Sequence, residues 1–186
     1  MDSHDLAETG QYAVAVANVQ KDKSANVTIE RKQNNVWNVI AGPTQITKLN
    51  LSTFNLPDQH TDDSMVGKGF AYRVKSDVPV IAYQFNPVDG SVSYLSDAAM
   101  LYPAAALDTV NHVTAWKATS DGSFQHSYAT VIATVDGTLV TVDPSVVTAA
   151  GPGVPQGAPG APFQVAMQEG DVLNVAVQAL GTSMTG

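Results

Sequence analysis

Residues 69–86, GFAYRVKSDVPVIAYQFN, constrain this chain more than any other stretch. Apolar and polar side chains alternate from Phe70 to Val74 and again from Pro79 to Phe85. That period of two puts one set of side chains on a buried sheet face and the other outside. Lys75-Ser76-Asp77 is a polar corner between the two strands, because Ser and Asp side chains bond backbone N–H groups in turns. Pro79 can open a strand, where its missing donor is not needed.

The remainder reads the same way. YAVAVANV (12–19) is a short apolar run with small residues, the pattern of a strand covered on both faces. NVTIE (26–30) alternates, with Val27 and Ile29 inward. Asn34-Asn35 marks a turn, and the strand from Val36 is expected to end at Gly42-Pro43. Another strand is expected from Ile46 to about Ser52. Residues 56–67, LPDQHTDDSMVG, read as a polar loop with clustered acids. Residues 91–108 are the least strand-like part, with Ser96-Asp97 placed to cap one helical turn before Pro103. VNHVTAWK (110–117) reads as a strand. Asp136-Gly137 predicts a hairpin between residues 125–135 and 138–142, and Glu169-Gly170-Asp171 a second between 163–167 and 172–177. AAGPGVPQGAPGAP (149–162) predicts an exposed, flexible tip.

Composition removes several functions. Charged residues make up 14% of the 186, so a neutral polar surface of the kind common on secreted β proteins is expected. Nine basic residues stand against 17 acidic ones, a net charge of −8. Nucleic acid and anionic membrane surfaces bind through Lys and Arg, so neither is an expected partner. The absence of cysteine excludes disulfides, thiolate metal sites and a cysteine nucleophile. No apolar run reaches the roughly 20 residues that span a bilayer. The first ten residues are acidic and polar, so an export signal would lie outside this chain.

Residues 12–19 and 128–135 (YATVIATV) share Tyr, Ala, Ala and Val in step. Each run leads into a Thr-containing strand, Val27-Thr28-Ile29 or Val140-Thr141-Val142. Two β units are expected, 11–118 and 126–186, within one all-β domain spanning 1–186. The second lacks a counterpart of residues 69–86. That predicts a chain cut short and an unpaired edge strand at 172–177.

YAVAVAN, VTIE, GFAYRVKSDVPVIAYQFNPVDG, SDAAMLYP and YATVIATVDGTLVTV, in this order, resemble the bacterial branch of the IgGFc-binding protein N-terminal domain family. In that family an apolar strand runs into a Ser-Asp-x-Pro corner and a second apolar strand, as at Ser76-Asp77-Val78-Pro79. The resemblance implies a secreted or surface-anchored multi-domain protein, adhesin-like or mucus-like, of which this chain is a fragment. It assigns no residue here to an Fc contact.

Few side chains suggest chemistry. Asp58, Asp62 and Asp63, with His60 among them, could offer hard oxygen ligands to calcium, but the alternating oxygens and sharp-bend glycine of an EF-hand loop are missing. A solvated acidic loop is the better reading, so the expected cofactor is none, with calcium the one candidate. No Gly-x-Ser-x-Gly turn accompanies His4, His60, His112 or His126. Trp37, Trp116 and Tyr83 are expected to fill the core; Trp37 or Trp116, if exposed beside a groove, would stack on sugar rings. The fold expected is all-β, with antiparallel sheets in a sandwich-like arrangement; propeller-like repeated blades are the alternative. The function expected is non-enzymatic: a binding or structural module of a secreted or cell-surface protein, acting in adhesion on a protein or glycan. The competing class is a carbohydrate-active domain, which needs two nearby carboxylates beside an exposed aromatic.

Overall fold

The computed structural model describes residues 10–61, 63–88, 97–120, 122 and 124–186. They form antiparallel sheets, none closed into a barrel. One 3-10 turn, Ala104–Ala106, follows Pro103. The chain divides into two compact units: Met1–His60 with Tyr72–Leu107, and Thr61–Ala71 with Asp108–Gly186.

Unit 1 packs two sheets face to face. One has the order β4 (Leu51–Asn55), β1 (Ala13–Ala17), β7 (Ile81–Asn86), β8 (Asp97–Met100). The other has the order β3 (Val36–Ile46), β2 (Ala25–Gln33), β6 (Tyr72–Ser76). Val14, Val16, Phe54 and Ala82 from the first sheet meet Ala25, Val27, Ile29 and Ile46 from the second in one core. Val27 and Ile29 face inward as their alternation predicts. β3 does not stop at Gly42-Pro43. Its pairing with β2 shifts register twice, between Val27 and Glu30, with the extra residues on β3, and the bulge lets the strand continue. Gly42 sits at φ +89°, and a Cβ there would stand 2.5 Å from the Val27 carbonyl oxygen. The residues 96–100 expected to turn helically are extended from Asp97 as β8; Ser96 lies outside the described residues.

In unit 2, β14 (Val172–Ala176) lies between β11 (Tyr128–Ile132) and β5 (Met65–Gly67). β12 (Thr138–Val142) pairs with β13 (Phe163–Met167), and β9 (Thr119–Ser120) with β10 (Phe124–Gln125). Leu173 and Val175 pack with Val165 and Met167, joined by Val131 and Val140. The unpaired edge expected at 172–177 does not exist. β14 is bonded on both sides and buried along its whole length. The covering strand comes from residues 56–67, read as a polar loop, where the three residues Met65–Gly67 are too few to register as a strand. The Ala176 N–H donates to buried Ser64 Oγ at 2.9 Å, and Asn174 Nδ2 donates to the Asp63 carbonyl at 3.0 Å.

Both predicted hairpins are corners. β11 pairs with β14 and β12 with β13, so the Asp136-Gly137 and Glu169-Gly170-Asp171 turns carry the chain from one sheet to the other. Turn residues specify a reversal; the buried faces decide whether the flanking strands pair. The Pro/Gly segment is not a loose tip. Pro152-Gly153 and Pro159-Gly160 form tight turns with both glycines at positive φ, and Val154 reaches the core. Residues 110–117 form no strand. They are mostly exposed and are tied to the end of the chain by Gly186 N–H to Val113 O and Ala118 N–H to Thr182 O.

Four strands in each unit share one wiring. β1 pairs with β4 and β2 with β3; β11 pairs with β14 and β12 with β13. The flanking bonds coincide: Asn18 N–H to Asn50 O matches Ala133 N–H to Asp171 O, and Leu56 N–H to Tyr12 O matches Val177 N–H to Ser127 O. Ala13 therefore corresponds to Tyr128, one residue away from the match of the letters. Both β3→β4 and β13→β14 turns have four residues, closed by Asn50 N–H to Thr47 O or Asp171 N–H to Gln168 O. Their third residues, Leu49 and Gly170, have φ of 55° and 86°.

Candidate functional site

The corner of residues 75–77 holds strands together. Asp77 Oδ1 accepts the Asn26 N–H at 2.8 Å, and Oδ2 accepts from Asn26 Nδ2 at 2.7 Å. These bonds hold the Asp77 carboxyl below its usual range, led by the backbone bond from Asn26. Nearby, Glu30 accepts from Arg73 Nη2 at 2.6 Å and Nε at 2.9 Å, with Lys75 Nζ 3.5 Å away. Burial opposes ionisation of Glu30, but Arg73 and then Lys75 outweigh it and lower its pKa. The Arg73 guanidinium lies 3.9 Å over the Trp37 ring. Trp37 is half-buried, with Arg73 on one face, and is committed to the β2–β3–β6 sheet.

The candidate calcium residues are not gathered into a metal site among the described residues. Asp58 is exposed in unit 1. Asp63 belongs to unit 2, where its Oδ1 lies 3.1 Å from His126 Nε2. Asp62 lies outside the described residues. His126 Nδ1 meets the Val177 carbonyl at 2.9 Å, and its ring packs edge-on against Phe124. Each ring nitrogen thus has a structural partner. His112 is exposed, and His4 lies outside the described residues.

Asp171 is a heavily engaged carboxylate of unit 2. It accepts from Lys68 Nζ at 2.8 Å, the Gly69 N–H at 3.0 Å and the Gln168 N–H at 2.9 Å. Burial pushes its pKa up, but Lys68 and the two N–H groups prevail and hold it below the usual range. The role is to pin residues 68–69 beside β14.

Trp116 is different. It is 92% exposed, against the expectation that it fills the core. Tyr83 departs from that expectation too, at 41% exposed, because Ala82 takes the inward position on β7. Trp116 lines an open cleft of about 620 Å³ with Ala115, Lys117, Thr119, Ser183 and Thr185. Among the described residues, no carboxylate is in the lining. The rim is braced from within: Ser183 Oγ and Thr185 Oγ1 both donate to Ala115 O, at 2.8 and 2.9 Å, and the Ala115 N–H donates to Thr185 Oγ1 at 3.0 Å. Ser145 Oγ donates to Thr185 O at 2.7 Å. The hydroxyls fix the backbone beside Trp116 while leaving its indole outward.

Residues 97–186 match the IgGFc binding protein family model. The matched segment takes in β8, the 3-10 turn and unit 2 without its Thr61–Ala71 segment. Trp116, Ser183 and Thr185 therefore lie inside it, whereas residues 69–86 and Trp37 lie outside. This is a binding family, not known as enzymatic. No curated protein and no solved structure matches the chain. Sequence reasoning named Trp116 but missed the cleft, because Ser183 and Thr185 lie in LGTSMTG, which bears no recognisable pattern.

Proposed function

We propose that this chain is a non-enzymatic, protein-binding module of a secreted or cell-surface protein, acting in adhesion. Trp116 carries the reading. An indole exposed almost completely forgoes its burial free energy, and Trp is the side chain most enriched among the anchors of protein interfaces. Its support is held rigid by the Ser183–Thr185–Ala115 bonds, so little order need be gained on binding. The match of residues 97–186 to a binding family supports the same reading. No helix among the described residues is long and apolar enough to cross a membrane.

A glycan is the second reading, favoured by the open indole face. It is the weaker one, because sugars also need converging free donors and acceptors, while Ser183 and Thr185 spend their hydroxyl hydrogens on Ala115. Among the described residues the cleft offers no pair of carboxylates for glycoside cleavage.

The test is a panel of immobilised surface proteins, including immunoglobulin Fc, run beside a glycan array, with the natural chain and Trp116→Ala. A protein ligand whose binding falls by about tenfold or more in the variant supports the proposal. Binding confined to glycans transfers the site to the second reading. Protein binding indifferent to Trp116→Ala removes the cleft from the proposal.

A further inference from the structure

We propose that the edges of β11 and β12 away from β14 and β13 accept a partner protein's strand–corner–strand segment, resembling β6–corner–β7, with basic residues on its first strand. The proposal rests on the shared wiring and is independent of the Trp116 cleft.

In unit 1, β1 carries β7 on the edge away from β4, and β2 carries β6 on the edge away from β3. The corresponding edges of β11 and β12 carry no strand among the described residues. Bond alternation says which groups face outward. In an antiparallel ladder, directly opposed residues alternate between bonded and non-bonded pairs. The bonds at Ser127–Val177 and Ala133–Asp171 place Ala129 and Val131 among the positions bonded to β14. Thr130 and Ile132 then direct N–H and C=O groups away from β14. In unit 1 the same alternation turns Ala15 and Ala17 toward β7, where they oppose Tyr83 and Ile81. Thr130 and Ile132 hold the corresponding places, ready for an added strand.

Charge selects the incoming strand. Ala25 opposes buried Ile46, and Thr138 opposes buried Met167. Counting five residues on from each reaches Glu30 and exposed Asp143. Glu30 is the carboxylate that holds Arg73 and Lys75 of β6. Unit 2 as a whole has two lysines against eight carboxylates. A strand with Arg or Lys where β6 has them would meet complementary charge at Asp143.

A labelled peptide with the sequence of residues 69–86 is the probe, titrated into the full chain. Saturable binding is expected, with slowed amide exchange at Thr130 and Ile132. Thr130→Pro removes an outward N–H and spares the β11–β14 backbone bonds; it should weaken binding about tenfold or more. Asp143→Lys, on the exposed surface, should also weaken it, and a peptide carrying Arg73→Glu and Lys75→Glu should restore it. No saturable binding, protection confined to other strands, or indifference to both variants overturns the proposal. Self-association that Thr130→Pro abolishes, without peptide uptake, assigns the edges to a second copy and likewise overturns it.

Discussion

β4 and β14 hold the same place in the two units, yet their surroundings differ. β4 ends its sheet, and its Leu51 is 60% exposed. β14 is central and buried throughout. The turns that feed them have the same length and the same closing bond. What differs is β5, a three-residue strand delivered from far upstream. A local turn therefore sets direction and register, while a distant segment decides whether the strand becomes an edge or a centre.

The largest effect should come from β14. Leu173 is fully buried, and Leu173→Ala should cost about 3 kcal/mol, whereas Leu51→Ala on β4 should stay within about 0.5 kcal/mol. Urea denaturation of both variants checks this; equal losses would end the centre-versus-edge distinction. Next is Asp171→Asn, which leaves the Lys68 ammonium and two N–H groups without their buried carboxylate and should cost about 2 kcal/mol at neutral pH. The folded pKa of Asp171 lies below its unfolded value of about 3.9, so its contribution is present above that pH. It is lost as the pH falls through the folded value. The gap between the natural chain and Asp171→Asn should then shrink in acid; a gap that widens would contradict the assignment.

The turns give a smaller, signed test. Gly170→Ala puts a Cβ on a left-handed residue and should cost about 1 kcal/mol; Leu49→Gly relieves the same strain and should gain up to about 1 kcal/mol. Thermal melts of the pair check it, and matching signs would break the correspondence of the two turns. Smallest is Trp116→Ala, expected within about 0.5 kcal/mol in the same melts. A larger loss would mean that the indole serves packing.

The strands with long alternation or apolar runs were legible in the letters, as at residues 12–19, 26–30 and 70–85. So was the corner at Asp77, because Asx chemistry is local. Pairing was not legible. Asp136-Gly137 looks like a hairpin turn and joins two sheets, since the partner of β11 lies 40 residues or more away. The Pro/Gly segment looked loose because composition does not reveal that Val154 is buried. Trp116 looked like core because size and apolarity usually mean burial. Its exposure is set by residues 182–186, which hold the preceding backbone and carry no signal of their own.

The Thr61–Ala71 segment also bears on how this chain can be cut. Ser64 and Ala176 are bonded across 112 residues. On a ribosome β5 emerges early and must wait for almost the last strand, a closure of high contact order and therefore slow. A fragment expressed to the borders of the family match, 97–186, would contain β14 without β5. Its outer edge would face solvent with buried-type side chains on both faces. Such a fragment should aggregate, as static light scattering would show, while one that begins before Thr61 should not. The borders at which a sequence is recognised are not those at which it is a stable piece of matter.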